Sequence, residues 1–302
     1  MKYLLRKNVL AKVPEIEIMP EEYAEFETAH NIISNALAIE EKYEILTVNY
    51  LDFERQILDT ATNDMVRRHL DYSDFFDVRL SLNVRLVNLL TAARLYVDQL
   101  NNNVRECVPS VTDAKEVVKK FFSKGYDENK EYRFMEALRN YVQHRELPVH
   151  WTQQGGRWTS LEDDGSLEYY IELASQRSYL EEDGEFNKKV LSELDEKIDL
   201  KLATRYYLES ISNVHESVRN MIAESVKSAR ELIEDAHRRY KAEHSESLVG
   251  LSACKWSNGR QISAMPLLLD WDDIRLKLQK RNKKISNLKK RHVTSSIQTH
   301  SK

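Results

Sequence analysis

Glycine and proline are scarce in this chain of 302 residues, which has seven glycines and five prolines. Together they make up about 4% of the residues, whereas an average soluble protein has roughly 12%. Sheet folds need turn residues about every 8–12 positions, so the scarcity excludes an all-β fold over most of the chain. It also excludes glycine-rich phosphate loops, because no segment resembles G-x-G-x-x-G or a P-loop. The composition therefore predicts a mainly helical protein.

Cysteines and long apolar runs are also few. Two cysteines, Cys107 and Cys254, cannot form a disulfide framework or a zinc site of four thiolates, and so low a number fits a reducing cytoplasm. No run of 18 apolar residues predicts a membrane span, and the segment Met1–Lys7 lacks the apolar core of a signal peptide. We expect a cytoplasmic protein without membrane segments, and the sequence predicts neither a cofactor nor a metal site.

Acidic and basic residues are unevenly distributed along the chain. The formal net charge is −4, but the stretch from Arg275 to the end has ten Lys and Arg and no acid. Residues 1–274 therefore hold 35 bases and 49 acids, a net charge of −14. Because such a body repels nucleic acid on average, any binding of nucleic acid has to be local. The basic stretch is expected to follow a phosphate backbone, to meet an acidic surface on a partner or on this protein's own body, or to be a solubilising, partly disordered tail.

The segment 1–146 has a helical pattern. Pro20 begins a helix, which is expected to break near Ser34–Asn35. Apolar residues at three- and four-residue steps predict the next two helices, and Asn101–Asn103 is expected to end the second of them. The predicted helices after the break cover about 38–70, 74–100, 114–123 and 129–146.

The segment 147–302 has a mixed pattern. Four of the seven glycines lie in a predicted β-containing insert at about 149–184, in which alternation over Leu167–Ala174 indicates a strand. A very long helix follows at about 195–244, and Asn258–Gly259 predicts the turn of a β-hairpin. The hairpin is expected at about 251–264, and a basic helix at about 271–290.

The helix predicted at 129–146 carries a possible catalytic group of three residues. At about 100° per residue, Arg139, Asn140 and His144 share one polar face, opposite a buried stripe. An arginine offers a fork of donors that suits a phosphate, and a histidine can move protons near neutral pH. Such a pair can cleave RNA without a metal, with the 2′-hydroxyl as nucleophile. The same residues also fit the solvated face of an amphipathic helix, and both interpretations stay open.

An all-helical domain whose last helix carries R-N-x-x-x-H resembles the HEPN superfamily, named for higher eukaryotes and prokaryotes nucleotide-binding. Arg139, Asn140 and His144 match the family motif, and the long helix pair before them suits the HEPN antiparallel helical bundle over the segment 1–146. Glu146 stands where HEPN toxins paired with minimal nucleotidyltransferases have a tyrosine, so this sequence departs from that subfamily.

The resemblance implies a metal-independent endoribonuclease of a bacterial toxin or anti-phage defence system. It implies a homodimer, because two such motifs usually face each other, and it allows an antitoxin or a defence-complex partner. Arg139 would bind the scissile phosphate, His144 would act as general acid or base, and Asn140 would orient one of them. The alternatives are a non-catalytic helical interaction protein and a HEPN-like subunit that binds nucleotide or RNA without cutting.

Overall fold

The computed structural model describes residues 1–9, 13–67, 71–162, 165–182, 184–244 and 247–294, and helices dominate them. This confirms the mainly helical class. The α-helices of this part of the chain are α1 (Pro20–Val66), α2 (Tyr72–Cys107), α3 (Ala114–Glu128), α4 (Lys130–His144), α5 (Arg177–Glu182), α6 (Lys188–Leu191), α7 (Leu200–His244) and α8 (Asp270–Arg281). The strands are β1 (Lys2–Lys7), β2 (Glu15–Glu17), β3 (Trp151–Trp158), β4 (Leu167–Gln176), β5 (Lys197–Asp199), β6 (Leu251–Ser257) and β7 (Arg260–Pro266).

The chain forms two compact units, each assembled from three segments. The first unit consists of 1–44, 95–119 and 216–283, and the second of 45–94, 120–215 and 284–302. Helices α1, α2, α3 and α7 each contribute residues to both units. Residue 146, the domain boundary predicted from the sequence, lies inside a continuous segment of the second unit.

The first unit contains a four-stranded antiparallel sheet in the order β2-β1-β6-β7. The predicted hairpin is confirmed as β6 and β7, and its turn residues Asn258 and Gly259 both have positive φ, at 50° and 72°. The prediction of helices alone in the segment 1–146 is wrong at β1 and β2. Strand β1 pairs along its whole length with β6, for example Leu4 with Cys254, and a partner so distant in sequence leaves no local signal.

The second unit contains a three-stranded antiparallel sheet in the order β3-β4-β5. The strand predicted at Leu167–Ala174 is confirmed as β4, and its residues Ile171 and Leu173 are buried. Gly155 of β3 lies directly opposite Tyr170. A Cβ atom at Gly155 would lie 2.9 Å from the Tyr170 hydroxyl oxygen, so the glycine gives the tyrosine ring room to pack across β3.

Two predicted helix boundaries are wrong, and one contact explains both. Helix α1 continues through Ser34–Asn35, and α2 continues through Asn101–Asn103 to Cys107. The Asn103 amide donates a hydrogen bond to Oδ1 of Asn35 at 2.8 Å, and the Asn35 amide donates to the carbonyl oxygen of Asn31. Asparagines that resemble helix breakers in the sequence therefore connect two helices of the first unit.

The remaining helices follow the predictions more closely. Helix α4 is confirmed, and the Asn129 side chain caps it by accepting a hydrogen bond from the Tyr132 N–H. The long helix is confirmed as α7. Helix α3 runs past Gly125, whereas α8 ends at Arg281, well before the predicted end near residue 290.

Candidate functional site

Helix α4 belongs to the second unit, and burial of its apolar residues sets its orientation. Phe134, Leu138 and Tyr141 are buried, at the three- and four-residue steps of a helix face. The Tyr132 ring packs on the Tyr207 ring of α7, with centroids 5.2 Å apart. Because this apolar face is fixed, the directions of the polar side chains of α4 are fixed as well.

A cavity of about 600 Å³ opens beside the C-terminal half of α4. Asn140 and His144 stand one turn apart, are exposed and both line this cavity. Arg133, Arg145 and two carboxylates also line it, so the cavity holds both signs of charge; the carboxylates belong to Glu136 and Glu185. The cavity therefore combines a proton-transfer group, an amide and guanidinium groups, which is a chemistry that suits a phosphate ester.

Arg139 is not among the residues that line the cavity. Its side chain is only 6% exposed, and Nη1 lies 2.8 Å from Oε2 of Glu136, one turn earlier on α4. The Tyr207 hydroxyl donates a hydrogen bond to the other oxygen of Glu136 at 2.6 Å. The prediction that Arg139 shares the exposed polar face with Asn140 and His144 is wrong, because Glu136 balances the arginine charge within the protein.

The burial of Arg139 is only partly compensated. Its Nη1 forms the ion pair with Glu136 at 2.8 Å but without hydrogen-bond geometry, and its buried Nε forms no hydrogen bond with any residue that the structure describes. A buried donor without a partner costs about 1–3 kcal/mol. We refer to Tyr132, Glu136, Arg139 and Tyr207 as the Arg139 cluster; its arginine would gain from a second acceptor.

The two tyrosines of the Arg139 cluster remain protonated. Burial raises the pKa of Tyr207, and the Glu136 carboxylate raises it further. Burial followed by Glu136 also raises the pKa of Tyr132. The charge of the cluster is therefore that of Glu136 and Arg139 alone, and the Tyr207 hydroxyl always has a proton to donate.

Arg133 and Arg145 differ in how the protein holds them. The Arg133 guanidinium contacts Oε2 of Glu193 through Nε at 2.9 Å and Nη2 at 2.6 Å, and Nη1 donates to the Tyr126 carbonyl oxygen. These contacts make Arg133 a structural clamp. Arg145 follows the last residue of α4, its backbone N–H donates to the Tyr141 carbonyl oxygen, and its side chain is exposed.

His150 supports the cavity wall, a role that sequence reasoning missed. Its ring stacks on Tyr179, with centroids 4.9 Å apart, and meets the edge of Tyr141, which lines the cavity. Nδ1 accepts a hydrogen bond from the Gln176 N–H at 3.0 Å, and burial lowers the pKa of His150. No local pattern predicts these contacts, because they join the end of α4 to β4 and α5.

Among the described residues, no group of three or more His, Cys, Asp or Glu side chains could hold a metal ion. In the same part of the chain, no helix has both the length and the apolar character needed to cross a membrane. Neither a protein-family model, nor a curated protein, nor a solved structure matches this chain. Its function is therefore argued from the geometry and chemistry of the site.

Proposed function

We propose that α4 forms the RNA site of a metal-independent endoribonuclease of the HEPN type, active as a homodimer in bacterial defence or a toxin system. The observation that carries the proposal is the shared cavity, which Asn140 and His144 line one turn apart and both exposed. The R-N-x-x-x-H motif lies on one uninterrupted helix, and a rigid helix keeps two catalytic groups at a fixed separation.

In the proposed reaction, His144 takes the proton from an RNA 2′-hydroxyl, and that oxygen attacks the adjacent phosphorus. A new P–O2′ bond forms and the P–O5′ bond breaks, which leaves a 2′,3′-cyclic phosphate and a 5′-hydroxyl. The 5′ oxygen takes its proton from His144 of the partner subunit, and for this reason the proposal includes a homodimer. Asn140 hydrogen-bonds to the substrate and orients it against the imidazole.

Arg139 has the role of stabilising the charge that develops on the phosphorus centre. To reach a phosphate, its guanidinium has to leave Glu136. When the guanidinium moves from Glu136 to a phosphate, its contact with one carboxylate is replaced by a charge-assisted contact that can be bidentate. The phosphate oxygens also offer acceptors to the Arg139 nitrogen atoms that complete no hydrogen bond. Glu136 is then an internal competitor of the substrate, which lowers the activity of the resting protein.

The test is cleavage of single-stranded RNA in the presence of EDTA. We expect wild type to produce 2′,3′-cyclic ends and His144→Ala to cleave at least about 100-fold more slowly, the usual size of a general acid or base contribution. Gln143→Ala is the matched control, since Gln143 is exposed on α4 but does not line the cavity. Equal rates for wild type and His144→Ala would remove His144 from the mechanism.

Burial of Arg139 favours a second candidate function, a non-catalytic helical interaction protein. In that case the Glu136 contact is purely structural, and Asn140 and His144 belong to a surface that meets another protein. Purified protein would then neither cleave nor bind RNA. Binding without cleavage would instead indicate a subunit that holds RNA or nucleotide for a defence complex. The cleavage assay, combined with RNA binding, separates these possibilities.

A further inference from the structure

The basic stretch after α8 is an ordered part of the second unit up to residue 294. A short 3-10 helix covers Leu288–Lys290, and the chain before and after it lies on the first turns of α7. The basic stretch therefore meets the protein's own body in this segment, one of the expected arrangements, while most of the Ser/Thr-rich tail expected to be frayed, residues 295–302, lies outside the described part. We refer to Lys284, Lys289, Lys290 and Arg291 as the basic ridge.

The main chain of the ridge is attached to α7 through hydrogen bonds. The Ser212 hydroxyl oxygen accepts the Ile285 N–H at 2.9 Å. The two oxygens of Glu209 accept the N–H groups of Asn287 and Leu288, each at 3.0 Å. These acceptors satisfy three main-chain donors of a segment that has little regular structure of its own.

The end of the ridge is attached by Arg205, which is itself held firmly. Arg205 contacts both oxygens of Glu54, through Nε at 2.7 Å and Nη2 at 3.0 Å. Its remaining nitrogen, Nη1, donates to the carbonyl oxygen of Arg291 at 2.9 Å. The segment is thus fixed at both ends by buried or half-buried side chains of α7.

The side chains of the ridge point their charges into solvent. Lys284 and Lys290 are exposed and form no hydrogen bond or ion pair with any residue in the described ranges. The Lys289 ammonium donates to the Tyr206 hydroxyl at 2.9 Å, and Arg291 donates to the Ser286 carbonyl oxygen. The Tyr206 hydroxyl and the Ser286 carbonyl group are neutral, so they do not balance the charges of Lys289 and Arg291. All four cations of the ridge can therefore interact with an anion.

The acids near the ridge do not cancel this charge. The hydrogen bond to the Tyr206 hydroxyl raises the pKa of Lys289, and Glu209 and Glu131 raise it further by smaller amounts. Both oxygens of Glu209 are already occupied by main-chain donors. Glu54, near the end of the ridge, is paired with Arg205. The ridge is therefore a local concentration of positive charge on a body whose residues 1–274 have a net charge of −14.

We propose that the basic ridge binds the phosphate backbone of RNA, and this inference rests on the proposed function. Lysines that are held in place lose less entropy on binding than those of a flexible tail, and each phosphate they neutralise releases a counterion. Contacts of this kind position a strand without reading its sequence. A bilayer would need several apolar anchors as well, but Ile285 and Leu288 are half-buried against the protein, and among the described residues of this segment only Val293 is an exposed large apolar side chain.

The test compares two double variants with the same charge change. Lys284→Ala/Lys290→Ala removes the two ridge cations that have no protein partner among the described residues, and Lys120→Ala/Lys124→Ala removes two exposed lysines of α3. Binding of a fluorescent single-stranded RNA is measured by anisotropy between about 50 and 200 mM salt. We expect the ridge variant to bind about tenfold more weakly, and its slope of log K against log salt to shrink by about 1.4. The α3 variant should keep the wild-type slope.

The controls separate this inference from the nuclease proposal. Gln143→Ala, which changes an exposed residue of α4 that does not line the cavity, should bind RNA with the wild-type affinity and slope, and thermal melting should show both lysine variants folded. If the ridge variant keeps the wild-type slope, or if wild type binds no RNA but binds vesicles of phosphatidylserine, the ridge proposal is overturned. If RNA binds through the ridge but is never cleaved, the ridge proposal stands and the nuclease proposal fails.

Discussion

Two arginines whose side chains have little exposed surface, Arg219 in the first unit and Arg139 in the second, are compensated to very different degrees. Arg219 of the first unit is 11% exposed and contacts both oxygens of Glu40, through Nε at 2.8 Å and Nη2 at 2.6 Å. Its Nη1 donates to the Asn282 carbonyl oxygen at 2.8 Å. Arg139 of the second unit is 6% exposed; its Nη1 forms an ion pair with one oxygen of Glu136 at 2.8 Å that lacks hydrogen-bond geometry, and its Nε forms no hydrogen bond among the described residues.

The difference indicates which arginine is purely structural. Arg219 has an acceptor for each of its three nitrogen atoms, so another anion would have nothing to add. Arg139 has fewer hydrogen-bond acceptors than Arg219, although its side chain is more deeply buried. Its counterion, Glu136, lines the cavity. A buried polar group with an incomplete set of partners requires an explanation, and a ligand that completes the set is the explanation we test.

The largest effect is expected in the first unit. Replacing Glu40 by glutamine removes the nearest carboxylate of Arg219, while Glu216 stays 3.8 Å from Nη1. The variant should lower the free energy of unfolding by about 3 kcal/mol, the lower end of the cost of breaking a buried ion pair. Urea denaturation measures it. The matched control is Glu231→Gln on α7, whose contact with Lys227 is at the surface and should change stability by less than about 1 kcal/mol. Similar losses in the two variants would contradict the structural role of Arg219.

A smaller loss of stability is expected in the second unit. Glu136→Gln should cost about 1–2 kcal/mol, because Glu136 is 20% exposed and forms only a single contact with Arg139. The Tyr207 hydroxyl can still donate to the new amide oxygen. A loss as large as that of Glu40→Gln would show that the two arginines are compensated alike, and would remove the contrast between them.

The same variant should also raise RNA affinity and the cleavage rate several-fold, because Arg139 is released from its counterion. Glu185→Gln is the control: Glu185 lines the same cavity but is not a contact of Arg139. Both variants remove one negative charge from the cavity, so any general electrostatic gain is equal in the two. Only the excess of Glu136→Gln over Glu185→Gln measures the release of Arg139, and equal gains would refute Glu136 as a competitor of the substrate.

Apolar spacing and capping residues predict where the helices of this protein lie in the sequence, but not which side chains of other helices they contact. The position of α4 follows from its cap at Asn129 and from its apolar spacing, both of which are encoded within one short segment of the chain. The same spacing places Arg139 on the exposed face, because a helical projection cannot include Tyr207, which lies on α7. Asn35 and Asn103 resemble breakers for the same reason, since the two asparagines pair across two helices.

The sequence predicts where the basic residues lie along the chain, but not how the folded protein holds them. The basic stretch is obvious in the sequence, but its order depends on Arg205, Glu209 and Ser212, which lie far earlier in the chain, on α7, and show no local motif. The candidate cavity depends on β4 and α5 behind Tyr141 as well as on the motif itself. Residue types and helical spacing therefore predict which groups can act, whereas burial and distant partners decide which of them can be reached by a substrate.

The smallest predicted effect concerns His150, the other incompletely paired group near the cavity. Burial lowers its pKa and outweighs the backbone contacts with Leu147 and Gln176 and the Glu146 carboxylate, which raise it; Arg79 also lowers it. The folded protein thus binds the His150 proton less tightly than the unfolded chain does, so its contribution to stability is present above about pH 6.5 and is lost as the pH falls through the lower folded value.

His150→Phe keeps a ring between Tyr141 and Tyr179 but cannot titrate. Denaturation at about pH 7 and about pH 5 should show a smaller acid-induced loss for His150→Phe than for wild type, by up to about 1 kcal/mol. His292→Phe is the control, because His292 is exposed and should leave the pH dependence unchanged. An equal acid-induced loss of stability in wild type and His150→Phe would mean that protonation of His150 does not loosen the cavity wall. The contrast between buried groups with and without a full set of hydrogen-bond partners would then apply to Arg139 alone.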